Sequence, residues 1–331
     1  MGKRQTISFT RPPRIVSGMS VVGTKEGEGP LGKYFDSIET DPKFGEKTFE
    51  KGEATMFERA IVGAIDKAGL KKFDIEALLA GDLLNQCVSS SYVARGLSMP
   101  FLGLYNACST MTEALALGSV LVDGGHFKRV ACLTGSHFAT AERQYRYPLE
   151  YGCQRPPYAQ WTVTASGCSI LASEGEGPIV ANAVIGRVVD YGINDLNNMG
   201  AAMAAAAADT ICAAFDDTGM DERDFDAIFT GDLGRLGAEI MRDLCRERGL
   251  ELGQRYSDCG EMMYSRQQKC YCGGSGAGCS AAVLNSFILS KMKSGEYKRV
   301  LLLATGALMS PTTSYQGETI PSISHGVILE A

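Results

Sequence analysis

The sequence predicts an α/β protein made of two similar halves, each a parallel-rich sheet covered by helices, packed as a pseudo-dimer. Three observations carry that expectation. Residues 60–84, AIVGAIDKAGLKKFDIEALLAGDLL, align without gaps on residues 210–234, TICAAFDDTGMDERDFDAIFTGDLG, with Ile61/Ile211, Ala64/Ala214, Asp66/Asp216, Gly69/Gly219, Asp74/Asp224, Ala77/Ala227, Gly81/Gly231, Asp82/Asp232 and Leu83/Leu233 identical. A second echo pairs the stretch from Asp123 to Gly135 with that from Ser294 to Gly306; both run through Lys-Arg-Val into an apolar strand. Finally, Phe101-Leu102-Gly103-Leu104-Tyr105-Asn106-Ala107-Cys108-Ser109-Thr110 reads as a buried strand, a sharp turn and a helix start. Helix–strand alternation of this kind implies sheets covered on both faces. The halves are set at 1–175 and 176–331, with a cleft between them.

Along the chain, Gly27-Glu28-Gly29-Pro30-Leu31-Gly32-Lys33 has phosphate-loop spacing, but Tyr34 stands where magnesium ligation needs Ser or Thr, so it reads as a surface loop. In the repeat, an amphipathic helix ends at Gly69 or Gly219 as a C-terminal cap, followed by an acidic linker and a short strand closing on Gly-Asp. At the elbow, helical spacing resumes from Ser109 to Gly118. Cys108 is thereby expected in the field of a helix N-terminus, which favours a thiolate, although a small buried thiol packs equally well at such a junction. The alanine run from Gly200 to Ala208 predicts a helix thin enough to lie between two sheets.

Composition sets outer limits. The 331 residues are 45% apolar and 21% charged with a net charge of −6, which gives no reason to expect nucleic acid. No apolar run of signal-peptide length follows Met1, and no window holds the roughly 18 unbroken apolar residues of a membrane span, so a soluble chain is expected. Eleven cysteines, an odd number set mostly in apolar segments, read as reduced core thiols. Cys259, Cys270, Cys272 and Cys279 suggest zinc, but Cys270 and Cys272 are one residue apart and no second knuckle follows, so neither metal nor cofactor is expected.

Duplicated α/β halves with an Ala-Cys-Ser-Thr elbow resemble the thiolase and ketoacyl synthase superfamily over the whole chain. The segments Leu79-Ala80-Gly81-Asp82-Leu83-Leu84-Asn85-Gln86, Tyr92-Val93-Ala94-Arg95, Ala139 through Pro148, Asp258-Cys259-Gly260, Ala304-Thr305-Gly306-Ala307-Leu308 and Ser324-His325-Gly326-Val327 narrow the likeness to the sporulation branch of that superfamily. The resemblance implies a thiolase-like fold and a protein of an endospore-forming bacterium that binds dipicolinic acid (pyridine-2,6-dicarboxylate). It further implies a homodimer, membrane channel partners that load the ligand into the developing spore, calcium as a possible companion of the ligand, and a peripheral place at the inner spore membrane. Condensing enzymes of this kind draw a His and an Asn, or two His, from the second half. Here that half holds only His325, and Gly273-Gly274-Ser275-Gly276-Ala277-Gly278-Cys279 stands where relatives carry His-Gly or Gly-Asn. A binding protein that keeps the pocket without the reaction is therefore expected. The alternative is an acyl-CoA-dependent condensing or thiolytic enzyme with Cys108 as nucleophile and His137 or His325 as base.

A flat dianion needs cations or amide donors for two carboxylates and a wall for the ring. Beside Cys108, the expected wall is Ser136, His137, Arg143 and Arg146 with Tyr145 and Tyr147 interleaved, just past the strand neighbouring the elbow. His137 could equally cap that strand, and Arg143 and Arg146 could pair with Glu142 or Glu150 at the surface. Gly273 and Gly274 are expected to offer backbone N–H groups or to let a helix pack closely. His325 completes the set, with Arg95 held in reserve.

Overall fold

The computed structural model describes residues 4–145 and 154–331. With the short strands Thr6–Ser8 and Ser37–Glu39 paired beside it, one continuous sheet of twelve strands takes five from each half along its main path. In the first half these are β1 (Arg14–Gly23), β2 (Ala77–Gly81), β3 (Phe101–Gly103), β4 (Arg129–Ser136) and β5 (Ala165–Ala172). The second supplies β6 (Ile179–Val184), β7 (Ala227–Thr230), β8 (Tyr256–Asp258), β9 (Arg299–Ala307) and β10 (Ser322–Glu330). Their order across the sheet is β8-β7-β9-β10-β6-β1-β5-β4-β2-β3, so the second half repeats the order of the first about its middle. At that middle β1 meets β6 through the pair Arg14 and Ile179. Within the expected parallel-rich halves, one strand each runs against its neighbours: β5 is antiparallel to β1 and β4, and β10 to β6 and β9.

The repeat seen in sequence is a repeat in space. Helix α1 (Phe49–Lys67) precedes β2 as α5 (Met199–Thr218) precedes β7. Their closing glycines, Gly69 and Gly219, have φ of +66° and +73°, a left-handed conformation that costs other residues energy. In both halves one carboxylate ties the next strand's entry to this unit. Glu76 accepts from the backbone N–H groups of Lys128 and Arg129, and Asp226 from those of Lys298 and Arg299.

Five layers result. Helices α1 and α2 (Val88–Leu97) cover the outer face of the first half-sheet around Phe57, Ile61, Leu78 and Ile170. Between the halves lie α3 (Thr110–Asp123) and α7 (Ala277–Val283), in a core holding Met111, Leu115, Val283, Leu302 and Val327. After β4 comes α4 (Phe138–Tyr145). Helices α5 and α6 (Gly234–Glu247) cover the second half-sheet's outer face. The alanine-rich α5 thus packs on β9, β10 and α6, not between two sheets as expected. Its thinness serves α6 instead: a Cβ on Gly237 would stand 2.6 Å from the Gly200 carbonyl oxygen. Space between the halves goes to α7, whose residues are all buried and whose Gly278 leaves no room for a Cβ against the Ala165 carbonyl oxygen, 2.1 Å away. By length and composition α5 could cross a membrane, but 72% of its apolar window is buried inside the protein.

Candidate functional site

The elbow brings Cys108 to the C-terminal ends of the strands, where open α/β sheets place ligands. Helix α3 does not begin at the cysteine. A single 3-10 turn, Ala107–Ser109, precedes it, and Ala107 is left-handed with φ of +52°. This turn points the thiol into a cavity of about 330 Å³ lined from both halves. Leu83, Tyr105, Ala107 and Cys108 come from the loops after β2 and β3, and Ala141, Glu142 and Tyr145 from α4. Thr162, Ser275 and Gly276 come from two short parallel strands, Trp161–Thr162 and Gly274–Ser275. Met199 opens α5, and residues 307–310 with Thr313 follow β9.

The chemistry around Cys108 differs from the sequence expectation. Asp232, just past the end of β7, is 1% exposed and accepts hydrogen bonds from Thr305 Oγ1 (2.7 Å), Ser275 Oγ (3.0 Å) and the Gly276 N–H (2.9 Å), and it lies near enough to the Cys108 thiol to act on its ionisation. Burial, then the Asp232 charge and its hydrogen bond, push the Cys108 pKa well above the ordinary thiol value, overriding any helix-terminus field. Cys108 is therefore held as a thiol. Asp232 was visible in sequence as one of the nine repeated identities, but nothing in the pattern said that it would meet the elbow across the halves. Its counterpart Asp82 does a local job, accepting from the Leu84 N–H and from the N–H and Oγ of Ser90.

His325 lies beneath the elbow, outside the cavity lining. Its Nδ1 accepts from the Gly186 N–H (3.1 Å), so the proton of the neutral ring sits on Nε2, 2.9 Å from the Asn106 side-chain amide, whose oxygen is the end able to accept from it. Burial lowers its pKa to about 4, leaving the imidazole neutral.

Of the other expected wall residues within the described chain, only Tyr145 lines the cavity. His137 caps its own region: Nε2 bonds the Pro42 carbonyl (2.7 Å), Nδ1 accepts from the Ala139 N–H, and the ring packs on Phe49. Ser136 donates to the Val163 carbonyl and accepts from the Gly278 N–H. Arg143 forms a surface ion pair with Glu50, so its helix face turns away from the cavity. Arg95 stacks over Tyr92. Gly273 donates its N–H to the Cys270 carbonyl, and the Cβ position of Gly274 is filled by Val163 and Met263. Arg146 and Tyr147 lie outside the described residues. The cavity takes the neighbouring Ser275 and Gly276 instead of Gly273 and Gly274.

Hydroxyls stand among the apolar residues of the lining. Tyr105 and Tyr145 share a hydrogen bond at 3.0 Å, and Tyr145 also donates to the Leu83 carbonyl. Glu142 accepts from Thr162 Oγ1 (2.9 Å) and pairs with Arg155 (2.7 Å), which is stacked against Phe138 and Trp161. Among the described residues no arginine or lysine reaches the lining, and no group of three or more His, Cys, Asp or Glu side chains is arranged to hold a metal ion.

Comparison with known proteins follows this geometry. A family model described as Stage V sporulation protein AD matches residues 3–330. The Stage V sporulation protein AD of Bacillus subtilis (strain 168) is 46% identical over 328 residues, covering 99% of this chain and 97% of that protein. Among solved structures, a single-residue variant of Xanthomonas campestris OleA superposes with a TM-score of 0.64 at 13% identity, covering 98% of this chain and 100% of that one. The 3-oxoacyl-[acyl-carrier-protein] synthase III of Aquifex aeolicus VF5 gives 0.60 at 12%, covering 96% and 100%. At these identities the likeness is one of fold, and the fold is that of thiolase-like condensing enzymes.

Proposed function

This chain belongs to the stage V sporulation protein AD family of sporulation proteins, and from that premise we propose that it is a non-catalytic binding protein for dipicolinic acid, acting in uptake of the ligand into the developing spore. The observation that carries the reading is the Cys108–Asp232 pair. A condensing enzyme needs a thiolate, with a base to handle the carbanion. Here burial, reinforced by the Asp232 carboxylate, keeps the elbow thiol protonated, and the imidazole of His325 is neutral with its Nδ1 held by the Gly186 N–H.

The cavity suits a flat aromatic ring: Leu83, Ala141, Met199 and Met309 offer apolar walls for it, and the Ser310 hydroxyl can donate to a carboxylate oxygen. Thr162, Ser275 and Thr313 already donate their protons to Glu142, Asp232 and the Ser310 carbonyl. Glu142 is matched by Arg155 directly behind it, which offsets the charge an anion would meet. The reading extends to membrane channel partners at the inner spore membrane and to a homodimer. Supporting the latter, β3 is an open sheet edge with Leu102 exposed.

A thermal-shift titration tests the assignment. Dipicolinate is expected to raise the Tm saturably, by the equivalent of about 2.7 kcal/mol at a hundred times its Kd, while benzoate, acetyl-CoA and malonyl-CoA leave it unchanged. A melting curve indifferent to millimolar dipicolinate overturns it. One observation favours a second reading, an acyl-CoA-dependent condensing or thiolytic enzyme: the left-handed Ala107 presents Cys108 on a strained turn. Mass spectrometry after incubation with acetyl-CoA or malonyl-CoA separates the two, since an acyl adduct on Cys108 belongs to the enzyme alone.

A further inference from the structure

Away from Cys108, the wall that α4 gives to the cavity hangs on one histidine. Ala141, Glu142 and Tyr145 line the space, and all of them ride on this eight-residue helix. Hydrogen bonds fasten its entry: the Phe138 N–H donates to Thr164 Oγ1 (3.1 Å), the Ala139 N–H to Nδ1 of His137 (3.1 Å), and the Ala141 N–H to the His137 carbonyl (3.1 Å). On its other side the His137 ring donates from Nε2 to the Pro42 carbonyl (2.7 Å), which fixes the tautomer with Nδ1 bare. Backbone groups thus take both ring nitrogens. His137 is 2% exposed, its ring edge-on to Phe44 at 6.4 Å and tilted on Phe49 at 5.4 Å. Charged groups surround this packing. The loop carrying Pro42 brings Asp41, which accepts from the Lys43 and Gly45 N–H groups, and Lys43, over the Phe49 ring at 5.3 Å. Helix α1 brings Glu50, paired with Arg143 of α4, and buried Glu53, which accepts from Thr140 Oγ1 at 2.8 Å. Glu142 is turned toward Thr162 and Arg155.

We propose that His137 is an acid-sensitive latch on the cavity: a proton taken up at Nδ1 releases the first turn of α4 and, with it, the wall that faces the ligand. The neutral ring accepts at Nδ1 and donates at Nε2. The imidazolium can only donate, so its new N–H meets the Ala139 N–H across a gap set for a hydrogen bond. The positive ring also sits at the helix N-terminus, where the helix dipole opposes it. Nε2 keeps its bond to Pro42 through the change, so the ring stays with the loop and the helix gives way. Burial first, and the Arg143 charge with it, lower the His137 pKa from its ordinary 6.5, against the Pro42 bond and the Glu50 charge, which raise it. The native fold therefore prefers the neutral ring. The stability this lends is complete above pH 6.5 and is lost as pH falls below it, because the unfolded chain takes the proton first. The loss of ligand rests on the binding role proposed above; the release of the helix does not.

The chain's single tryptophan reports the event. Trp161 stacks on Phe138, the first residue of α4, with ring centroids 4.3 Å apart, and it precedes Thr162 of the cavity lining. Intrinsic emission of the full-length chain is followed from pH 8 to pH 4.5. A reversible change with its midpoint below pH 6.5 is expected in the wild type and in Glu53→Gln. It should vanish in His137→Asn, whose side-chain oxygen accepts from the Ala139 N–H at every pH. Heteronuclear NMR of the ring nitrogens, in a chain with only three histidines, follows the same proton without any variant. Protonation of Nδ1 and the emission change should share one midpoint. In calorimetry, dipicolinate affinity is expected to fall by up to about tenfold for each pH unit below that midpoint in the wild type, and to stay level in His137→Asn. A flat wild-type emission curve, a transition that persists in His137→Asn, or two different midpoints would each overturn the latch. Affinity that stays level across the wild-type transition would overturn its link to the cavity. No binding of dipicolinate at pH 7.5 would overturn the reading of the ligand, while the emission curve still decides the latch.

Discussion

Cys108 and its partners show how far a residue can be read before its neighbours are known. The elbow was legible from the strand-turn-helix pattern, and so was the presence of a thiol at the strand ends. Its protonation was not, because Asp232 comes from the other half, 124 positions along the chain, and only the packing of the halves unites them. The same limit governs the wall residues. Arg143 had the right chemistry, but the helix turn from Phe138 aims it at Glu50. Arg143→Gln is accordingly expected to cost about 0 to 1 kcal/mol in chemical denaturation and to leave ligand affinity unchanged. Asp232→Ala is expected to be far more costly, about 1–3 kcal/mol for each buried donor it orphans, with urea denaturation as the measure. A third residue makes a prediction about pH. Glu53 is fully buried, accepting from Thr140 Oγ1 at 2.8 Å, and desolvation with repulsion from Asp82 raises its pKa well above 4.5. The native state holds a proton that the unfolded chain releases, so this stabilisation is complete below pH 4.5 and is lost as pH rises through the raised native value. Glu53→Gln keeps the neutral shape and removes the slope. Its Tm is expected to match wild type at pH 4.5 and to exceed it increasingly toward pH 8; parallel curves would contradict this.

At the scale of elements, the duplicated unit was the most legible part of the chain, because its signals are local: an amphipathic helix, a cap glycine, a carboxylate and an apolar strand. Gly69 and Gly219 cap as expected, and a Cβ at either position would meet nothing within 4 Å. Gly219→Ala therefore isolates backbone strain, and a loss of about 1 kcal/mol is expected, with Gly69→Ala losing a similar amount. Gly278 is a different case. Its ordinary φ gives no hint in sequence, yet α7 rests directly on the backbone of β5, so Gly278→Ala must lift the helix and is expected to cost at least about 1–3 kcal/mol by overpacking. The position of the alanine helix was misjudged for a related reason. Composition says that a helix is thin, but which face of which sheet it covers depends on the chain's path between halves.

Across the described molecule, two half-sheets of matching strand order enclose core helices, and a cavity lies where their strand ends converge. This architecture was legible as a duplication and as a resemblance. The cavity's lining was not, since it is assembled from the loops after β2, β3 and β9, α4, the start of α5 and a two-stranded bridge. The account's central claim is that this half-open, largely apolar cavity binds dipicolinate while its thiol stays inert. Isothermal titration calorimetry with dipicolinate, on the wild-type chain and on Ala141→Phe, which fills the cavity from α4, tests it most directly. The account predicts one saturable site per chain in the wild type and loss of that site in the correctly folded variant. Absence of binding by the wild type, or undiminished binding by Ala141→Phe, would contradict it.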